Sequence, residues 1–330
     1  MKKLLRRSCG AFTMADRLSR VYTLGSKSAF TMAEILISLT IIGVIAAITL
    51  PSLRANINEK TWATQKKALL SRMSQAIAMM DAQNTYTNAQ DYVTSGLSEV
   101  LKINNICDGT SATTLADCGI TGNVINMTGS AMTMPITWNA LGVTKTFTNP
   151  NPTEQQPTWP STQTDLVAAF ETQNGESVMV FYNPDCIPDN DDAPTGTQPN
   201  MINYVCANMI YDLNQDKGPN TAGKDIGFMT VFYASDSVVS TALANSTAST
   251  AISATASCPD DYRIPNLTEA TAIQLNWNIL GGTAYDTMLT SARAIDSATG
   301  DTYIYKVSKV SDLARVSTTA TTGNTRCVKR

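Results

Sequence analysis

Phe30-Thr31-Met32-Ala33-Glu34-Ile35-Leu36-Ile37-Ser38-Leu39-Thr40-Ile41-Ile42-Gly43-Val44-Ile45-Ala46-Ala47-Ile48-Thr49-Leu50-Pro51 decides the fold. No side chain from Ile35 to Leu50 is charged. A helix of about 20 apolar residues spans the hydrocarbon core of a bilayer, and this run has that length and composition. One carboxylate, Glu34, sits near its start. An ionised group there costs about 2.5–3.5 kcal/mol on insertion scales, which calls for a reason. The plain reading is an anchor with an acid near one interface; the alternative is a specific partner for Glu34.

Residues 1–29 carry Lys2, Lys3, Arg6, Arg7, Arg17, Arg20 and Lys27 against one acid, Asp16, a net charge of +6. Positive charge ahead of an apolar span keeps that flank cytoplasmic. This leader has no apolar core of its own. A secretory signal peptide has the reverse order, with its cleavage site after the apolar run. Ala11-Phe12-Thr13-Met14-Ala15 nearly copies Ala29 to Ala33, but Asp16-Arg17 follows it in place of an apolar run.

Ser28-Ala29-Phe30-Thr31-Met32-Ala33-Glu34 resembles the cleavage and N-methylation signal of type IV pilins and type II secretion pseudopilins. The resemblance is strongest over residues 28–80. It implies that a membrane peptidase cuts between Ala29 and Phe30 and that the new amine of Phe30 is methylated. The family has glutamate as the fifth mature residue, which is Glu34 here. Gly43 and Pro51 stand where the family often has a helix-loosening glycine and a kinking proline. The residue before the cut is usually glycine, and Ala29 departs from that with another small side chain. The implied partners are the prepilin peptidase/methyltransferase, other pilin or pseudopilin subunits, an inner-membrane assembly platform and membrane lipid. The implied location is a single pass of the inner membrane, leader in the cytoplasm and head outside, followed by a periplasmic or extracellular filament. The implied role is structural, not enzymatic, with tip adhesion or sensing by the head as the alternative.

Removal of residues 1–29 leaves 17 bases against 26 acids, a net charge of −9. Binding nucleic acid needs clustered Lys and Arg to neutralise phosphate, so no nucleic-acid partner is expected. The chain has no histidine. That excludes a Ser-His-Asp or Cys-His site within it and removes the commonest general base. Cys9 lies in the leader. Cys107, Cys118, Cys186, Cys206, Cys258 and Cys327 remain, an even number in a polar segment read as exported, which points to disulfides. Zinc is the rival, without C-x-x-C spacing or histidine in its support. Sequential pairing, Cys107–Cys118, Cys186–Cys206 and Cys258–Cys327, is expected; the first two close short loops.

Beyond Pro51 the helix is expected to continue. Trp62, Leu69, Met73, Ala76, Ile77 and Met80 form an apolar stripe at three- and four-residue steps, with Lys60, Lys66, Lys67, Arg72 and Asp81 on the other faces. From Phe30 to about Ala82 such a rod is roughly 80 Å long. Its stripe needs a partner, most simply a small sheet. Ser177–Tyr182 and Ile226–Tyr233 read as strands, and Ile136–Trp138 with Val143–Phe147 as a hairpin. Thr164–Gln173 reads as a short helix, and 149–161 and 183–200 as loops.

Asp212, Asn214 and Asp216 alternate as in the first half of a calcium loop. The sixth position is then Lys217 in place of glycine and the twelfth Gly223 in place of glutamate, with Asp225 the substitute ligand. Some pseudopilins bind calcium in a nearby loop. The other reading is an Asx-rich turn that bonds its own backbone, and both stay open. Cys258-Pro259-Asp260-Asp261-Tyr262-Arg263-Ile264-Pro265 and the close Arg326-Cys327-Val328 resemble the two ends of a bacterial C-type-lectin-like module, without its sugar-binding acids. Asn266 and Glu269 begin a helix with a capping box, with Ala270, Ile273 and Trp277 on one side. The other reading of this part is a disulfide-closed cap on the head.

The expected fold class is therefore α+β. Leader 1–29 precedes a long helix 30–83, with 30–50 in the membrane. A head with a small antiparallel sheet spans 84–235, a Ser/Thr/Ala-rich linker or loop 236–257, and a cap or lectin-like subdomain 258–330.

Overall fold

The structure is a computed structural model describing residues 31–80, 86–148, 158–186, 204–232, 238–239, 248–253, 258, 262–282, 287–295, 302–308, 314–317 and 322–329. Of residues 50–57, 216, 238–239, 248–253, 287–290, 292–295, 302–308, 314–317, 322–324 and 329 it describes the backbone only. The expectations for leader 1–29, Ala29, Phe30, Asp81 and most of loops 149–161 and 183–200 lie outside these residues. The chain divides into two compact units, up to Asn56 and from Ile57 onward.

Helix α1, Met32–Met79, begins in the first unit. Its window Met32–Thr49 has a mean hydropathy of 2.2 and is 0 % buried, so it is long and apolar enough to cross a membrane. The run is rich in β-branched Ile, Val and Thr, which are mediocre helix formers in water. In lipid the backbone must satisfy its own polar groups, which favours a helix regardless. The hydroxyls in the run bond back to carbonyls one turn earlier: Ser38 to Glu34, Thr40 to Leu36 and Thr49 to Ile45.

In the second unit α1 presents Leu69, Met73 and Ala76, all essentially buried, to one apolar core. A six-stranded antiparallel sheet supplies most of its other wall. The strands run in spatial order β1 (Ile103–Asp108), β2 (Val167–Thr172), β3 (Ser177–Tyr182), β4 (Val205–Asp212), β5 (Ile226–Phe232) and β6 (Val238–Val239). Alternate residues face opposite ways along a strand. Phe170, Val178, Val180, Tyr182, Met209, Tyr211 and Met229 therefore pack towards α1. Val167, Ala169, Met179, Phe181, Ile210 and Phe228 face a second core. Strands buried on both faces read as continuous apolar runs. This is why Thr164–Gln173 resembled a helix: only Thr164–Leu166 is helical, as a single 3₁₀ turn, and Val167–Thr172 is β2.

The second core is closed by α2 (Leu267–Leu275) and α3 (Trp277–Leu280) together with Trp138, Leu141 and Phe147. The expected hairpin of 136–138 and 143–147 is absent among the described residues. Trp138 instead sits in a turn, fully buried, its Nε1 donating to Tyr182 O at 2.9 Å, and Phe147 pairs with Trp159. Burial of the indole outweighs the local strand preference. Part of the Ser/Thr/Ala-rich 236–257 stretch is also strand: Val238–Val239 pairs with β5 and Ala248–Ser253 with Thr322–Arg326.

Tyr86, Tyr92 and Tyr182 cluster in the core that α1 shares with the sheet: Tyr92 and Tyr182 stack with ring centroids 5.1 Å apart, and Tyr86 meets both edge-on. Gly96 lies against them, and any Cβ there would overlap Met80 and Tyr86. Three disulfides staple the fold: Cys107–Cys118, Cys186–Cys206 and Cys258–Cys327, with Cα separations of 6.0, 4.6 and 5.9 Å. They pair in sequence order. The first two close short loops and are worth on the order of 3 kcal/mol each in the chain-entropy account, the third on the order of 4.

Candidate functional site

Thr31 and Glu34 form a reciprocal cap at the start of α1. Thr31 N and Thr31 Oγ1 both donate to the Glu34 carboxylate at 2.9 Å, and Glu34 N donates to Thr31 Oγ1 at 3.2 Å. The first N–H groups of a helix lack intrahelical acceptors, and a T-x-x-E sequence supplies them. The sequence held this signal in Thr31-Met32-Ala33-Glu34, and it adds Thr31 to the residues of interest. Among the described residues nothing lies within 4 Å of a Cβ placed at Gly43, so none of their side chains requires glycine there. The backbone is helical through Gly43 and Pro51, while the Pro51 side chain lies outside the described residues.

The second candidate is the β4–β5 connection. Asn214 N donates to Asp212 Oδ1 at 3.1 Å, which is an Asx turn. Asn214 Nδ2 donates to Gly218 O at 2.6 Å. Buried Asp225 accepts from Asn220 N and Thr221 N, both at 2.8 Å. Gln215, Gly218, Asn220 and Gly223 all adopt positive φ, which winds the loop tightly. From α1, Lys66 Nζ donates to Gly223 O at 3.2 Å. Burial pushes the Lys66 ammonium below its usual pKa, against a smaller opposing pull from Asp225.

Calcium fits this loop poorly. Both Asp225 oxygens already serve backbone amides, and a cation of the chain's own stands beside that carboxylate. In its favour, Asn214 Oδ1 and Asn220 Oδ1 are buried without a hydrogen-bond partner. The Asp216 side chain lies outside the described residues. Among those described, no three His, Cys, Asp or Glu side chains converge.

The C-terminal segment folds as a cover for the sheet. Asn266 caps α2 in a capping box with Glu269, and Arg263 grips the same carboxylate with two bonds of 2.5 and 2.6 Å. Asn276, just before α3, exchanges two 2.9 Å hydrogen bonds with Asn208 of β4, and Thr230 Oγ1 donates to Asn208 at 2.8 Å. All three side chains are buried. Buried Arg326 lies 4.9 Å over the Trp277 ring and donates to Leu280 O and Gly281 O.

The spacing puts Lys66 and Arg72 on the faces of the helix away from its apolar stripe. Arg72 pairs with buried Glu176, which also accepts from Thr172 Oγ1. Its partner lies 104 residues away, so no local signal announced the contact. No protein-family model matches the chain, nor does any curated protein or solved structure.

Proposed function

We propose that the chain is a structural subunit, present in few copies, of a type IV pilus or type II secretion pseudopilus. One observation carries the reading: an apolar helix start that is fully exposed in the chain and capped by a glutamate, directly after a basic leader. The leader holds the N-terminus in the cytoplasm. The prepilin peptidase removes residues 1–29, and the amine of Phe30 is methylated. The subunit waits in the inner membrane on 30–50 until the assembly platform drives its helix among those of other subunits. There Glu34 meets the Phe30 ammonium of a neighbour. An unpaired carboxylate in such a bundle is penalised heavily, so the pair sets register more than it adds stability. The second half of α1 packs on one face of the six-stranded sheet, which supports this role.

The N-terminus of the membrane-extracted protein tests the reading, by intact mass and peptide sequencing. A chain starting at methylated Phe30 supports it. A chain starting at Met1 in a host with an active prepilin peptidase sinks it and leaves an ordinary anchored protein. A second reading, a tip adhesin or sensing subunit, is favoured by the bulky head on a mature chain of 301 residues. Abundance in sheared filaments separates a main subunit from a rare one.

A further inference from the structure

Two clefts flank the short strand Ala131–Thr133, of about 600 and 470 Å³. The larger lies between the turn 126–130 and the lip 277–282 that follows α2. Among the described residues neither is lined by a charged side chain. In a head with excess acid, two adjoining clefts with a described lining of amides, hydroxyls and apolar groups stand apart.

Both walls of the larger cleft are fixed before any ligand arrives. Asn126 Oδ1 accepts from Thr128 N at 3.1 Å, Thr128 Oγ1 at 2.8 Å and Ser130 N at 2.9 Å, which locks the turn. Opposite, Trp277 Nε1 donates to Gly282 O at 3.2 Å, and Arg326 ties down the carbonyls of Leu280 and Gly281. The walls meet at Gly281. It has φ +70°, and a Cβ there would overlap Thr128 and Asn126. Preorganised walls reduce the ordering cost of binding.

The lining chemistry narrows the ligand. Carboxylates and phosphates are held by Arg, Lys or paired N–H donors, and hard cations by carboxylates. Among the described lining residues there is no Arg, Lys or carboxylate. Exposed Ser130, Thr133 and Asn278 offer neutral donors and acceptors around half-buried Met132. We infer that this cleft binds an uncharged, hydroxyl-rich ligand, a neutral saccharide. The inference deepens the adhesive reading and rests on it for its biological use.

The test is saturable binding of the full-length protein, in detergent, to an array of neutral and anionic glycans. Ser130→Arg and Thr133→Arg place a cation in the cleft from exposed positions, and Thr113→Arg is an exposed control elsewhere. The expected result is binding to a neutral glycan, weakened about tenfold or more in both cleft variants at unchanged melting temperature, and unaffected in the control. Binding to no neutral glycan, preference for anionic glycans, or binding indifferent to both variants overturns the inference. So does capture of an extended peptide lost on Ala131→Pro, which would assign the strand edge instead. Saccharide binding by a protein absent from sheared filaments would sink the adhesive-subunit reading and leave the site standing.

Discussion

Glu34 bonds Thr31 through both the backbone N–H and the side-chain hydroxyl, while Thr31 Oγ1 accepts from Glu34 N in return. A cap needs only an acceptor at position 34, whereas pairing with a neighbour's ammonium needs a charge. Glutamine keeps the first and loses the second. Glu34→Gln and Glu34→Ala are both expected to reduce incorporation into filaments, by about tenfold or more, because each removes a buried charge partner. Thr31→Val removes a cap worth about 1 kcal/mol and leaves the charge, so its incorporation should stay near normal. The measurement is the immunoblot ratio of sheared filaments to membrane pool. Normal incorporation of Glu34→Gln would mean that capping alone accounts for this glutamate.

Arg72, Glu176 and Thr172 tie α1 to the β2–β3 turn. The Glu176 side chain is 4 % exposed and that of Arg72 33 %. Arg72→Met leaves a buried carboxylate without its cation and is expected to cost about 1–3 kcal/mol, the upper range being reserved for pairs buried on both sides. Arg72→Met combined with Glu176→Gln should cost less than the sum of the single changes. Denaturant unfolding of the four proteins gives the coupling directly. Strict additivity would mean that the two groups do not interact in solution.

How far the sequence carried is clear from these same elements. The stripe Leu69, Met73 and Ala76, strands β3 and β5, and the Asn266–Glu269 cap were all legible, because each rests on period or spacing within a few residues. Strand β2 was not legible: Val167-Ala168-Ala169-Phe170 is buried on both faces, and a short apolar run has no period to read. The partners of Lys66 and Arg72 were not legible because they come from loops far along the chain. At the N-terminus, Glu34 stood out for its cost in an apolar run, while Thr31 escaped notice as a partner although the T-x-x-E spacing was present.

Lys66 predicts a pH effect of definite sign. Its pKa in the folded chain lies below 10.5, chiefly through burial, with Asp225 opposing. The unfolded chain thus binds more protons at this site, and stability rises with pH over the interval below 10.5. Below the folded pKa both states are charged and the burial penalty is present in full; it fades as pH climbs through that value. Lys66→Met should lose this rise, so the difference in melting temperature between variant and parent should change across alkaline pH. A pH-independent difference would show the ammonium to be solvated.

Glu269 acts at the other end of the scale. Burial raises its pKa, but the bonds from Arg263 and Asn266 N more than offset this and the net shift is downward from 4.5. A depressed carboxylate contributes stability that is present above its unfolded pKa and lost as pH falls through the folded one. Glu269→Gln keeps an acceptor for the cap and should flatten the acid limb of the stability profile below about pH 4.5. An unchanged acid limb would place the acid sensitivity in other carboxylates.

The Asn208–Asn276 pair decides whether the C-terminal segment is a cover or a separate module. Each amide gives one hydrogen bond to the other, Thr230 completes the set, and all three lie where water does not reach. Asn276→Leu strands the Asn208 Nδ2 donor in an apolar core, at a cost of about 1–3 kcal/mol, while Thr230 Oγ1 keeps its bond to Asn208 Oδ1. Because α2 and α3 share a core with β2 to β5, that loss should lower a single melting transition of the whole head. An independent module would melt on its own, leaving a second transition where the parent has it. Calorimetry with the three disulfides intact distinguishes the two results, and a separate C-terminal transition would return 258–330 to the status of a domain.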